Sequence, residues 1–138
     1  MMQITFTQKN SQLWVMHLVG KLDGSNYQDM LTEAQTLHNL GCRDVILDLS
    51  QLTYISSAGI AALHRISILF RGQKMDLKHG ETWLSSRAIA HELNSSVQKH
   101  VKFFSSTENV RHSLEIVGFN TLFETYTDMD QAVASFQQ

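Results

Sequence analysis

The feature that most constrains the fold is a nearly continuous apolar run at residues 45–49, Val-Ile-Leu-Asp-Leu. Such a run is typical of a strand buried on both faces of a parallel sheet. Asp48 interrupts it, and because buried acids usually need partners, we expect Asp48 to be paired near the end of the strand. Apolar residues then recur at helical spacing over residues 60–70, and Gly72 follows. The run therefore predicts a central strand that leads into a covering helix.

Strand and helix patterns alternate along the rest of the chain as well. The first half of the chain is predicted to form a β-hairpin over 3–19, a loop at 20–24 and a helix from a Ser25/Gln28 capping box to Gly41, followed by the strand at 45–49 and the helix ending near Gly72. The second half is predicted to form a strand at 101–104 and a helix from a Ser105/Glu108 capping box to Gly118. A strand at 122–126 and a short helix capped by Asp128 complete the prediction. This order predicts an α/β fold with a mixed, mostly parallel β-sheet covered by helices.

Residues 73–100 interrupt this alternation. The segment is far longer than the usual connection between a helix and the next strand. A thin apolar stripe of Ile89, Leu93 and Val97 predicts a helix over 86–99. The segment is either a surface excursion or an element for partner binding or self-association, for example in a homodimer. We therefore interpret residues 1–138 as a single domain with an insertion at 73–100.

Composition narrows the class of protein. The net charge of -2 provides no basic excess, which argues against binding to nucleic acid. Cys42 is the only cysteine, so an internal disulfide and a cysteine-based zinc cluster are excluded. The seven histidines show no ligand spacing, and no metal or cofactor is expected. With no signal peptide and no apolar run of about 20 residues, we expect a cytoplasmic protein without membrane insertion.

A junction of small residues, Ser56 to Gly59, joins the central strand to its helix. A serine nucleophile needs a nearby base, but His64 lies about 10 Å further along the helix from Ser57. The junction also lacks the G-x-S-x-G elbow of hydrolases and the glycines and lysine of a phosphate-binding loop. These absences argue against an enzyme at this position.

The junction is suited to covalent modification. Ser56 or Ser57 can cap the helix, since a hydroxyl accepts a hydrogen bond from an unpaired backbone N–H. Ala58, Gly59 and Ala61 have very small side chains, so another protein can approach the serine closely. A phosphate at a helix N-terminus is tolerated by the helix dipole and the free N–H groups.

Residues 45–63, VILDLSQLTYISSAGIAAL, resemble the signature of the STAS domain, in particular that of anti-sigma factor antagonists. Residues 20–24 resemble the first loop of that family, and residues 110–123 resemble its closing helix and strand. The resemblance covers residues 3–72 and 101–136, and it implies a STAS-like fold.

The resemblance also implies roles for individual residues. In the family, the serine two positions before the glycine is the phosphoacceptor, which corresponds to Ser57. Many members have an aspartate where this chain has Ser56, so Ser56 is the second choice for phosphorylation. Asp23 matches a loop acid that lies near the phosphoacceptor. The expected partner-binding residues are Asp23, Ser56, Ala58, Gly59 and Ala61.

The function implied is that of a partner-switching protein in signal transduction and transcription regulation, and not that of an enzyme. Such a protein binds a serine kinase or anti-sigma factor-type protein and releases it once Ser57 is phosphorylated, and a PP2C-type phosphatase reverses the modification. The alternative is a non-phosphorylated structural STAS subunit of a larger assembly, such as a lipid-transport ATPase complex or a stressosome-like particle.

Overall fold

The computed structural model describes residues 2–72 and 97–136, and its strands and helices follow the alternating order expected from the sequence. The strands are β1 (Met2–Gln8), β2 (Leu13–Leu22), β3 (Asp44–Ile55), β4 (Val101–Phe104) and β5 (Thr125–Tyr126). The helices are α1 (Tyr27–Asn39), α2 (Ser57–Phe70), α3 (Glu108–Ile116), α4 (Phe119–Leu122) and α5 (Met129–Ala134). Within the described ranges, no helix combines the length and hydrophobicity needed to cross a membrane.

The strands form one five-stranded sheet in the order β1-β2-β3-β4-β5. β1 is antiparallel to β2, whereas the pairs β2/β3, β3/β4 and β4/β5 are parallel. The prediction of a mixed, mostly parallel sheet is therefore confirmed. Because β2 and β3 run in the same direction, their carboxyl ends lie side by side, and the segments that follow them leave the sheet at that same end.

The central strand is buried on both faces, as the apolar run predicted. Val45, Leu47 and Leu49 belong to the main core, to which α1, α2 and α3 also contribute. Ile46 points to the opposite face, where it packs in a smaller cluster with Leu13, Val15 and Ala132 of α5. β3 therefore contributes to both the main core and the smaller cluster, and this packing on two faces fixes the position of its carboxyl end.

β3 extends to Ile55, six residues beyond the predicted strand. β4 pairs only with the first half of β3, so the second half has β2 as its strand neighbour. Side chains at the start of α3 bond to β3 there: the Thr107 hydroxyl donates to the carbonyl oxygen of Leu52 at 2.8 Å, and the Asn109 amide donates to that of Thr53 at 3.0 Å. These contacts come from distant residues, so local sequence does not predict the length of β3.

Two of the predicted helix caps are wrong by one or two residues. α1 begins after Asn26, and Ser25 instead bonds to the Asp23 carboxylate. α3 begins after Thr107, while Ser105 adopts a left-handed backbone conformation with φ 53°. In both places several residues that favour capping follow one another, so composition does not select among them. The Asp128 cap of α5 is confirmed, since its carboxylate accepts from the backbone N–H groups of Asp130 and Gln131.

The strand predicted at 122–126 is shorter than expected, because β5 contains only its last two residues. Phe119–Leu122 forms the short helix α4 instead. The Phe123 ring stacks on Phe103 with 4.6 Å between ring centroids, which draws this stretch into the core. In the helix predicted over 86–99, residues 97–99 are not helical, and the remainder lies outside the described residues.

Candidate functional site

The candidate site forms where β2 and β3 end side by side. Leu22, the last residue of β2, pairs with Ile55, the last residue of β3. The backbone N–H of Ser56 donates to the carbonyl oxygen of Leu22 at 2.9 Å, which extends the contact by one residue. The loop that begins at Asp23 and the helix that begins at Ser57 therefore leave the sheet next to each other.

Ser56 is the N-cap of α2, and its hydroxyl is already engaged. Its backbone is extended, with φ -91° and ψ 175°, and its side-chain oxygen accepts from the backbone N–H of Gly59 at 3.2 Å. The carbonyl oxygen of Ser56 accepts from the backbone N–H of Ile60 at 2.9 Å. Ser56 is only partly exposed, so its main role in this structure is to begin the helix.

Ser57 is the first residue of α2 and is exposed. Its hydroxyl makes no hydrogen bond with any residue in the ranges 2–72 and 97–136. The backbone N–H groups of Ser57 and Ala58 precede the first intrahelical bond and have no acceptor within the helix. No acidic side chain lies in the first turn of α2. An anion attached to Ser57 is therefore favoured by the local backbone.

Gly59 lets the start of α2 approach the ends of both strands. A Cβ atom at this position would lie 2.8 Å from Cγ1 of Ile55, 2.8 Å from Cγ of Leu22 and 3.1 Å from the Leu22 carbonyl oxygen. Real side chains do not tolerate carbon contacts this short, so any larger residue would push the helix away. The glycine therefore fixes the position of Ser57 relative to the Asp23 loop.

The small residues predicted to contact a partner are mostly covered by the chain itself. Ala58 and Ala61 are each 2% exposed, and Gly59 is also buried. Their role in partner binding stays a prediction, and their burial leaves them little surface of their own to offer. In this structure they allow close packing of the helix that carries Ser57.

Asp23 provides a fixed negative charge beside the helix start. The hydroxyl of Ser25 donates to its Oδ1 at 2.6 Å, and the backbone N–H of Ser25 donates to the same atom at 2.9 Å. These two bonds lower the pKa of Asp23 below its ordinary value, so its carboxylate is ionised at neutral pH.

Tyr54 is an exposed aromatic residue close to the helix start in the chain, and the sequence alone did not single it out as a functional residue. It is 44% exposed near the end of β3, three residues before Ser57. The Asn109 amide lies next to it because it bonds to the neighbouring carbonyl of Thr53. We call the exposed and partly exposed residues around the helix start the junction surface, which consists of Asp23, Tyr54, Ser56, Ser57 and Asn109.

The junction surface has no features of a metal site. Within residues 2–72 and 97–136, no group of three or more His, Cys, Asp or Glu side chains is placed to hold a metal ion. These residues offer an exposed hydroxyl on Ser57, an ionised carboxylate on Asp23 and an exposed aromatic ring on Tyr54.

Comparison with family models assigns the chain to a family. The model described as "Mlab, STAS domain" matches residues 5–124. The chain belongs to the STAS family. The matched range includes residues 73–100, which the resemblance noted from the sequence did not cover. Comparison with curated protein sequences gives no match.

Solved structures show the same fold. An anti-sigma factor antagonist from Mycobacterium paratuberculosis is 11% identical, with a TM-score of 0.71, and the alignment covers 100% of this chain and 96% of that one. A candidate anti-sigma factor antagonist from Thermotoga maritima is 12% identical, with a TM-score of 0.72 and coverage of 98% and 95%. The anti-sigma factor antagonist SpoIIAA in its unphosphorylated form is 12% identical, with a TM-score of 0.64 and coverage of 99% and 98%. At these identities the likeness establishes the STAS fold alone.

Replacing each serine by alanine separates their structural roles. Ser56→Ala removes the N-cap bond and is expected to lower the free energy of unfolding by about 1 kcal/mol. Ser57→Ala removes an exposed hydroxyl and is expected to change it by less than about 0.5 kcal/mol. Urea denaturation of both variants measures the difference. Equal losses, or a larger loss for Ser57→Ala, would contradict the assignment of the cap.

Gly59→Ala tests the close approach of α2 to the strand ends. Glycine to alanine in a helix normally stabilises a protein. Here the added methyl group is expected to lower the free energy of unfolding by about 1–3 kcal/mol, because it overpacks the contact with Leu22 and Ile55. Urea denaturation measures the change, and Ser57→Ala in the same turn is the control. An unchanged or increased stability would show that the contact is not tight.

Proposed function

We propose that the protein is a partner-switching regulator controlled by reversible phosphorylation of Ser57. In its unphosphorylated form the junction surface binds a serine kinase or an anti-sigma factor-type protein. Phosphorylation releases the partner, and a PP2C-type phosphatase restores binding. The protein acts in the cytoplasm as a substrate and a binding module rather than as an enzyme.

The observation that carries this proposal is the contrast between the two adjacent serines. The hydroxyl of Ser56 is used inside the fold as a helix cap, whereas that of Ser57 is exposed and makes no bond to the described residues. A kinase can therefore reach Ser57 without unfolding the start of α2. The modification leaves the cap intact and changes only the surface.

Electrostatics favour release on phosphorylation. A phosphate adds about 1.5 to 2 negative charges at neutral pH. The free chain tolerates them, because the N-terminus of α2 is electropositive. In a complex, the same charges would lose part of their hydration beside the ionised Asp23, which is unfavourable unless a cation compensates them. Lys21, whose charge also acts on Asp23, lies outside the junction surface. The modification is thus compatible with the fold and unfavourable for docking.

Tyr54 is suited to anchor the partner. An exposed aromatic side chain has a large apolar area and loses little conformational entropy when it is covered. Because Tyr54 precedes Ser57 by three residues, a partner that covers Tyr54 and the helix start together would also cover the phosphorylation site. This arrangement links binding to the state of a single hydroxyl.

The structural neighbours support the same mechanism. SpoIIAA of Bacillus has also been solved in a phosphorylated form, which is 13% identical to this chain, has a TM-score of 0.56, and gives coverage of 96% of this chain and 98% of that one. A protein of this fold is thus known in both the unphosphorylated and the phosphorylated state.

The second candidate function is a docking subunit that is never phosphorylated. The family model that matches the chain is that of Mlab STAS domains, while the likeness to anti-sigma factor antagonists rests on fold at low identity. In this case the junction surface would hold one partner permanently within a larger assembly. The two candidates differ in whether Ser57 carries phosphate.

The first test is the site of phosphorylation. The protein is incubated with ATP and the kinase that co-purifies with it, and phosphopeptides are mapped by mass spectrometry. We expect phosphate on Ser57, loss of labelling in Ser57→Ala and retained labelling in Ser56→Ala. Phosphate on Ser56, Ser105 or Ser106 instead would overturn the assignment, and a partner that binds without any labelling would favour the docking subunit.

The second test is the effect of charge on affinity. Ser57→Asp is expected to weaken the partner complex by about 1 to 3 kcal/mol, because its charge must be desolvated at the interface. Ser57→Asn has a similar shape without the charge and is the matched control, for which we expect a smaller loss. Isothermal titration calorimetry measures both. Equal affinity of the Asp and Asn variants would count against an electrostatic switch.

A further inference from the structure

A row of hydrogen-bonded side chains crosses three strands away from the junction surface. Oδ2 of Asp48 on β3 lies 2.6 Å from Nδ1 of His17 on β2. Nε2 of the same ring lies 2.8 Å from Oγ1 of Thr7 on β1. The expected pairing of Asp48 is confirmed, and its partner is a histidine that is itself bonded to a hydroxyl.

The row lies on the sheet face that α5 covers in part. Val15 and Ile46 pack against α5, and His17 and Asp48 are the next residues on the same face of their strands. His17 lies directly opposite Asp48 in the strand register. The side chains of His17 and Asp48 are 27% and 14% exposed, so small molecules have access to the imidazole ring.

The Asp48 carboxylate is held in place on both oxygens. Its Oδ1 accepts from the Ser50 hydroxyl at 2.7 Å and from the Ser50 backbone N–H at 3.0 Å, while Oδ2 faces His17. Partial burial alone would raise the pKa of Asp48, but the hydrogen bonds from Ser50 and His17 outweigh it and lower the pKa below its ordinary value. The carboxylate is therefore ionised at neutral pH and acts only as an acceptor.

An ionised Asp48 determines which ring nitrogen of His17 carries the hydrogen when the imidazole is neutral. In the neutral form of the ring, a proton on Nδ1 is donated to the carboxylate, and Nε2 is left as an acceptor for the Thr7 hydroxyl. A hydroxyl bonded to a base, which a third group orients in turn, is the arrangement that activates serine and threonine nucleophiles. Here all three groups project from paired strands, which hold their geometry rigidly.

A cavity of about 330 Å³ opens beside these groups. Thr7, His17 and Asp48 line it together with Val19 and Gln51. The Gln51 side chain carries an amide that can donate to a developing oxyanion. Among the residues of the ranges 2–72 and 97–136 that line this cavity, His17 and Asp48 are the only titratable side chains. The cavity suits a small, uncharged acyl compound.

We propose that Thr7 is a nucleophile that accepts an acyl group from a small activated ester or thioester, with His17 as its general base and Asp48 as a positioning residue. The Thr7 oxygen bonds to the carbonyl carbon while Nε2 of His17 takes the hydroxyl proton. The bond from that carbon to the leaving oxygen or sulfur then breaks, and the leaving group takes the proton from His17. The product is an ester on Thr7, and the reaction needs no oxidant or reductant.

The test uses p-nitrophenyl acetate as the acyl donor and the full chain as the protein. Release of p-nitrophenolate gives the rate, and peptide mass mapping locates the acetyl group. We expect acetylation of Thr7, its loss in Thr7→Val and its retention in Thr7→Ser. His17→Asn is expected to slow the reaction by at least about 100-fold. Thr32→Val, at an exposed threonine of α1 that does not line the cavity, is the control and should react like the unchanged protein.

Asp48→Asn tests the positioning role. We expect a slower reaction and a shifted pH dependence of the rate, since an amide does not hold the imidazole in the same protonation pattern. Circular dichroism establishes that each variant is folded, and mapping of the acetyl group on the unchanged protein gives a result that is independent of the variants. An acetyl group on Lys9 or another residue rather than Thr7, or an unchanged rate in His17→Asn, would overturn the proposal.

Discussion

The candidate site depends on the packing of the start of α2 against the paired ends of β2 and β3. Leu22 and Ile55 close the two strands, and the N–H of Ser56 bonds back to the Leu22 carbonyl. Gly59 leaves no gap there, since even a methyl group would lie 2.8 Å from both side chains. One tight contact therefore sets the position of Ser57, the direction of its helix and its distance from the loop that follows β2.

This arrangement assigns different tasks to adjacent residues. Ser56 stabilises the helix, Gly59 brings it close to the sheet, and Ser57 remains free to react. A regulatory phosphate works best where the fold does not depend on the modified group, because then only binding changes. Thr7 and His17 lie on a different part of the sheet, so the proposed acyl chemistry does not depend on the proposed switch at Ser57.

Sequence patterns predicted the parts of the fold that depend on local residues. The run at 45–49 indicated a strand buried on both faces. The small residues after it indicated a helix that begins with a serine cap and carries an accessible serine. The patterns did not predict that β3 continues to Ile55, because the side chains that bond to its second half come from the start of α3. The contact of His17 with Asp48 was missed for the same reason, since only strand register brings residues 31 positions apart together.

The central claim is that the state of Ser57 decides whether the junction surface is occupied. The most direct measurement isolates the protein from its own cells, separates partner-bound from free molecules by size, and quantifies phosphate on Ser57 in each fraction by mass spectrometry. The account predicts that phosphate is concentrated in the free fraction and nearly absent from the bound one. Equal phosphate in both fractions, or a bound fraction richer in phosphate, would contradict it.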